Sequence, residues 1–247
     1  MREIFIIFVL LISKATFSQE IITDRPDQTE SSTTVPKQSL QIETGTQFST
    51  KDDQLNTEKQ LLLPTSLFRI GLTENVELRL LSQLEFYQER RDTNSFIGLS
   101  DLEIGTKIQL FKKKGSWIEI AFLSHLVLPV GTIGLTNKKI GTINKLSISH
   151  ELNKKSTIGY NIGYDYFGEN NGDLTYSIAY GFNISEKTSI YIESFGKINN
   201  FIQNETNIDL GFCYLIKANI QYDFSFSIGI TQRMNYISTG LSWLIRN

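Results

Sequence analysis

The sequence lacks most of what catalysis, metal binding or nucleic-acid binding requires. Its 247 residues hold one cysteine, Cys213, so no internal disulfide can form and no cysteine cluster offers a metal site. The two histidines, His125 and His150, lie in no H-E-x-x-H frame, and no phosphate-cradling glycine loop occurs. Neither sign of charge dominates: 24 Lys and Arg stand against 26 Asp and Glu, which excludes a basic nucleic-acid binder. With 40% hydrophobic and 20% charged residues, the composition is also not that of a disordered chain. Past the leader no run of about 18 apolar residues occurs, so no helix would cross a membrane.

The leader reads as an export signal. Met1-Arg2 precede the apolar run Ile4 to Ile12, and Thr16-Phe17-Ser18 suit cleavage before Gln19. With no cysteine at that position, a lipoprotein is not expected. Residues 19–38 hold two of the four prolines and no sustained alternation, and read as an extended periplasmic lead-in.

From residue 39 onward the chain alternates. In Thr157 to Ile184, Ile158, Tyr160, Ile162, Tyr164 and Tyr166 are interleaved with small or polar residues, and Leu174, Tyr176, Ile178, Tyr180 and Phe182 repeat the pattern. A period of two puts each set on its own face of a strand. Here the bulky face is uniformly apolar and the other holds Gly, Ser, Asn and Thr, which suits a wall with lipid outside and a crowded or wet interior. Twelve strand-length blocks follow, at about 39–48, 60–71, 76–88, 99–111, 116–127, 142–152, 155–166, 173–184, 187–197, 206–216, 219–229 and 235–245. Tight connections alternate with longer ones, as periplasmic turns alternate with external loops. Pro64 cannot donate to a ladder, so block two is expected to bulge. The predicted fold is all-β: a transmembrane antiparallel β-barrel of about 12 strands, residues 39–247, with both termini periplasmic.

The polar face carries many charges: Glu43, Arg69, Glu77, Arg79, Glu85, Asp101, Glu103, Lys107, Glu119, Asp165, Glu193, Asp209 and Asp223. Burying these unpaired is prohibitive, so they are expected to line a lumen. Two readings follow, a lumen that selects solutes by charge and a structural network of pairs that fills a narrow barrel. Aromatics projecting inward would favour passage of hydrophobic solutes, and a filling of paired Arg and carboxylates would favour a closed barrel. A lipid-facing hydrolase is disfavoured. Ser124 and His150 share the outward phase but sit about 20 Å apart at about 3.3 Å per residue.

Thr23-Asp24-Arg25-Pro26-Asp27-Gln28-Thr29-Glu30, then Pro36-Lys37 with Leu40-Gln41-Ile42-Glu43, open the mature chain. Arg69-Ile70-Gly71-Leu72-Thr73 runs into Glu77-Leu78-Arg79, His125 to Gly131 reads HLVLPVG, and Thr239-Gly240-Leu241-Ser242-Trp243 comes near the end. This set resembles a family of outer-membrane transporters named after the meta-pathway of phenol degradation. The resemblance implies a β-barrel passing small solutes, aromatic compounds among them, with no catalytic residues and no cofactor. The expected partners are outer-membrane lipid, small solutes and the barrel-assembly machinery, with no nucleic acid. The expected location is the bacterial outer membrane. The competing reading is a closed barrel with a structural or adhesive surface role. The charged residues beside the lead-in prolines raise one further expectation: Asp24, Arg25 and Asp27 could fold back into the lumen as a plug.

Overall fold

The computed structural model describes residues 21–53, 56–90, 95–112, 115–168 and 171–246. The leader assigned to 1–18 lies outside them. Thirteen strands form one antiparallel sheet: β1 Ser39–Asp53, β2 Asn56–Gly71, β3 Val76–Glu89, β4 Ser95–Leu99, β5 Leu102–Lys112, β6 Ile118–Leu128 and β7 Gly141–Asn153. They continue as β8 Ser156–Tyr166, β9 Asp173–Asn183, β10 Thr188–Asn199, β11 Gln203–Lys217, β12 Ile220–Gly229 and β13 Arg233–Arg246. β4 and β5 both pair with β3, one above the other, so they are two halves of one stave and the barrel has twelve. β1 pairs with β13 from Ser39↔Arg246 to Asp52↔Arg233, which closes the sheet on itself and leaves no edge.

The alternation runs as expected around the wall. Ile162, Ile178, Ile192, Phe226, Ile237 and Leu241 are exposed on the outside, while Asn161, Ser177, Ala179, Glu193, Ser225 and Ser238 are buried inside. A closed antiparallel barrel with an apolar exterior and a polar interior is the outer-membrane architecture. His150 stands outward between Trp117 and Tyr160, with ring centroids 4.7 and 5.5 Å away, as part of an aromatic belt near the turns. Ser124, six rungs up, hydrogen-bonds Asn144 at 2.8 Å instead.

One expected irregularity and two differences from the sequence reading have local causes. β2 steps over Leu63-Pro64, the expected bulge, so Leu62 and Thr65 both keep the inward phase. Block four breaks because Asp101 leaves the ladder to accept the backbone N–H groups of Gly131 at 3.0 Å and Asn137 at 2.8 Å, which anchors the 129–140 loop. That loop tucks over the inner side of the wall, where Thr132 occupies the space a Cβ on Gly98 would need. Finally, β1 and β2 continue to Asp53 and from Asn56, where a loop over 49–59 is expected, so the contrast between short and long connections is weaker than the sequence implies.

Candidate functional site

Residues 21–38 form no strand. They make a strap that enters the lumen at the turn end, rises to mid-barrel and returns to start β1. Ile21 N donates to Ala218 O at 3.0 Å, in the turn between β11 and β12. The rising limb places the Asp24 carboxylate among three cations: Arg79 at 2.5 Å, Lys107 at 2.8 Å and Arg69 at 3.2 Å. Arg25 turns the other way, to Asp223 at 3.0 Å and to Ser238 at 3.0 Å. It passes the paired Gly45 and Gly240, and a Cβ on Gly240 would meet Arg25 Nε at 2.6 Å, so the inner-face glycine is what lets the guanidinium through.

At the tip, Gln28 N donates to Glu193 at 2.8 Å, and the Thr29 hydroxyl bonds both Glu193 and Ser177. Glu30 and Asn161 exchange two hydrogen bonds, at 2.7 and 3.1 Å. On the returning limb, Ser32 lies 2.5 Å from Ser149, Thr33 donates to Glu119 at 2.9 Å, and Val35 N donates to Glu77 at 2.7 Å. The strap thus bonds the wall on every side, and its backbone is satisfied by side chains in place of a ladder.

The predicted lumen charges sort by height and side. Glu43, Arg69, Glu77, Arg79 and Lys107 form one buried network around Asp24. In it Arg69 bonds Glu77 and Glu43, each at 2.9 Å, and donates to Thr33 O at 2.9 Å. Arg79 Nε donates to His125 Nε2 at 3.0 Å, which leaves Nδ1 to donate to Glu103 at 2.8 Å. Glu119 holds the returning limb. Glu193, Asp209 and Asp223 face the strap from the opposite wall. Glu85 lies higher, bonded to Gln60 at 2.7 Å and Ser100 at 2.6 Å. Asp165 lines the space above the strap, and Asp101 holds a loop.

That space is a cavity of about 450 Å³ open towards the loop end, with Gln28 on its floor. Lys51, Lys145, Lys197, Glu58, Asp165 and Glu205 give it charge of both signs, and Tyr87, Phe195, Met234 and Tyr236 give it apolar surface. These last four are not among the predicted site residues, though strand phase places each inside: Tyr87 shares it with Glu85, Phe195 with Glu193, and Met234 and Tyr236 with Ser238. The two discriminating features therefore both occur, ion pairs filling the turn half and aromatics lining the loop half.

The strap's two central acids respond to pH with opposite sign. Burial alone disfavours a charged Asp24, but Arg69, Lys107 and Arg79 outweigh it and hold the carboxyl well below its usual range. Burial, then the neighbouring Glu193 and Asp209, push Asp27 well above it. Docking through ionised Asp24 is therefore present above the ordinary value of 3.8 and lost only as pH falls through the lowered one. Docking that holds Asp27 beside Glu193 and Asp209 is unopposed while Asp27 is protonated, at low pH, and is opposed by like-charge repulsion as pH rises through the raised value. Open-channel occupancy in a planar bilayer is accordingly expected to rise as pH rises through the raised Asp27 value, and Asp27→Asn to flatten that rise.

The profile of the family described as "Putative MetA-pathway of phenol degradation" matches residues 23–245. The chain belongs to that family. An outer membrane channel from Pseudomonas putida F1 superposes with a TM-score of 0.71 at 11% identity, over 92% of this chain and 100% of that one. The KdgM porin in complex with disordered oligogalacturonate gives 0.54 at 10% identity, over 83% and 98%. The translocator domain of autotransporter NalP from Neisseria meningitidis gives 0.52 at 10%, over 85% and 88%. At these identities the shared property is the barrel. No curated protein matches the sequence. The family match takes in the strap from Thr23 onward, so the strap and the wall it bonds are a single family unit.

Proposed function

We propose that this member of the family is an outer-membrane channel for small solutes, aromatic compounds among them, with both termini and the strap on the periplasmic side. The observation that carries the reading is the cavity of about 450 Å³ above the strap, of a size that holds a small molecule, with Tyr87, Phe195 and Tyr236 beside charged groups. An aromatic ring gains apolar contact on that side while a hydroxyl or carboxylate meets the lysines and amides. The family's name points to the same class of solute, and the neighbouring folds include an outer-membrane channel and a porin.

A second reading is favoured by the ion-paired strap: a closed barrel with a structural or surface role, whose turn half is filled permanently. One experiment separates the two. The refolded protein in a planar bilayer is expected to show discrete openings that phenol or benzoate blocks in a concentration-dependent way. Phe195→Ala is expected to weaken that block several-fold without abolishing conductance. A folded but silent barrel supports the closed reading.

A further inference from the structure

The register of β9, β10 and β11 relates the cavity above the strap to a second one. Ser177, Phe195 and Asn207 share one inward rung across these strands, and all three line the upper cavity. Six residues along each strand towards the turns, Asn183, Ser189 and Cys213 share another, and all three line a cavity of about 690 Å³ at the turn end. Two inward rungs separate the cavities on this wall: Ala179, Glu193 and Asp209, then Gly181, Tyr191 and Gly211. The opposite wall offers no such route, because Arg69, Arg79 and Lys107 with their carboxylates fill it.

The two partition rungs are closed differently. The strap tip covers the upper one, through Gln28 N and the Thr29 hydroxyl on Glu193. Hydrogen bonds of the tip reach β8, β9, β10 and β13, and among the described residues none reaches β11. On the lower rung, Tyr191 is the one side chain that these three strands supply, with a glycine on either neighbour. Its ring lies over Gly211, where a Cβ would stand 2.5 Å from Cε1 and 2.8 Å from the hydroxyl. Over Gly181, on the other side, a Cβ would meet the Thr157 hydroxyl at 2.9 Å and nothing else within 4 Å. Tyr191 thus has two glycine beds, one filled and one open. Its hydroxyl donates to Asp209 Oδ2 at 3.0 Å, which holds the ring over Gly211. Asn207 Oδ1 and Asp209 Oδ1, buried without partners, stand along the same strip of β11. Buried acceptors of this kind are ordinarily met by water, so the strip suits a hydrated passage.

We propose that Tyr191 is the size-determining residue of the solute path, which runs down the inner face of β11 from the upper cavity to the one at the turn end. With the ring over Gly211 the two cavities are separate. When the hydroxyl leaves Asp209 and the ring turns about its Cα–Cβ bond towards Gly181, the strip from Asp209 to Cys213 is uncovered and the cavities join. Such a turn between staggered positions leaves the backbone in place, so the strap stays anchored through Asp24 and Arg25 while the shutter opens. The assignment rests on the channel reading of the upper cavity and adds to it the route, the exit and the residue that closes them.

The test is single-channel recording of the refolded protein, with Cys213, the one cysteine, as a reporter in the lower cavity. Tyr191→Ala is expected to raise unitary conductance several-fold. Tyr191→Phe keeps the ring and loses the bond to Asp209, so it should raise open occupancy at nearly unchanged unitary conductance. Gly181→Val fills the receiving space and should lower open occupancy several-fold. A membrane-impermeant methanethiosulfonate added from the loop side should reduce the current, faster in Tyr191→Ala and not at all in Cys213→Ser. Channels that conduct but ignore Tyr191→Ala, or whose current the thiol reagent leaves unchanged, overturn the shutter and keep the channel. Where Tyr191→Ala does not fold, equal open occupancy in Tyr191→Phe and Gly181→Val overturns it. A silent full chain beside a conducting Tyr191→Ala supports the shutter and favours the closed reading of the native barrel. Folded barrels that stay silent with and without Tyr191 refute both.

Discussion

A variant lacking residues 21–36 is expected to carry several-fold more current per channel than the full chain, and to shift its preference towards anions. The strap occupies the turn half of the lumen and bonds the wall through Asp24, Arg25, Gln28, Thr29, Glu30, Thr33 and Val35. Removing it opens a cross-section that these groups now fill. The charge change is determined by the same residues. The deleted segment carries three carboxylates, Asp24, Asp27 and Glu30, against one guanidinium, Arg25. Two negative charges leave the lumen. Arg79 and Lys107 lose Asp24 and Glu30, which lie within 3.4 Å of them. Exposed cationic groups in a narrow pore draw anions. Single-channel conductance and reversal potential in a salt gradient read both effects. Unchanged conductance would mean that ions already bypass the strap, and would end its role as a plug. Because deletion could impair assembly, Asp24→Asn with Glu30→Gln is the companion variant. It leaves the chain intact, loosens the same contacts, and should raise open occupancy in the same direction.

The wall was legible in the sequence because its determinant is local. A period of two needs only neighbouring residues, so the inward phase of Glu43, Arg79, Lys107, Glu193 and Asp209 could be read from the strands they sit on. The Pro64 bulge was legible for the same reason. Towards the loop end the signal fades: Ser49, Thr50, Lys51 and Asp52 are polar on both faces, so nothing in their pattern shows that β1 continues. The strap lies beyond local reading. Charge beside proline suggested a plug, but that Asp24 meets residues 69, 79 and 107 while Thr29 meets residues 177 and 193 depends on closure of the whole barrel. Which carboxylates lack a counter-ion follows from where the tip stops, so the special position of Asp27, Glu193 and Asp209 could not be read from their phase. Asp101 shows the opposite failure. Its phase is inward, yet a loop thirty residues away competes for its carboxylate and breaks the stave.

Arg69→Met is expected to destabilise the barrel more than any exposed charge substitution, by about 3–5 kcal/mol. Arg69 is fully buried and bonds Glu43, Glu77 and Asp24 as well as Thr33 O. Losing it leaves buried carboxylates short of a cation. The loss is uneven. Glu77 and Asp24 keep Arg79 at 3.0 and 2.5 Å, whereas Arg69 is the one cation that pairs with Glu43 among the described residues. Most of the cost should therefore fall on Glu43, which gives the prediction its sharper form. Arg69→Met with Glu43→Gln should recover a large part of the stability lost by Arg69→Met, because the amide removes the stranded charge while its one oxygen, in the place of Oε1, still accepts from both Asp24 N and Gln41. Arg69→Met with Glu77→Gln should recover less. Lys197→Met, which breaks a half-exposed pair with Asp173, should cost no more than about 1 kcal/mol. Urea unfolding in detergent, followed by the fluorescence of Trp117 and Trp243, ranks all four. If Glu77→Gln rescues better than Glu43→Gln, the buried network is not partitioned as the bond pattern implies. The charge of Arg69 would then be shared across the whole Asp24 cluster.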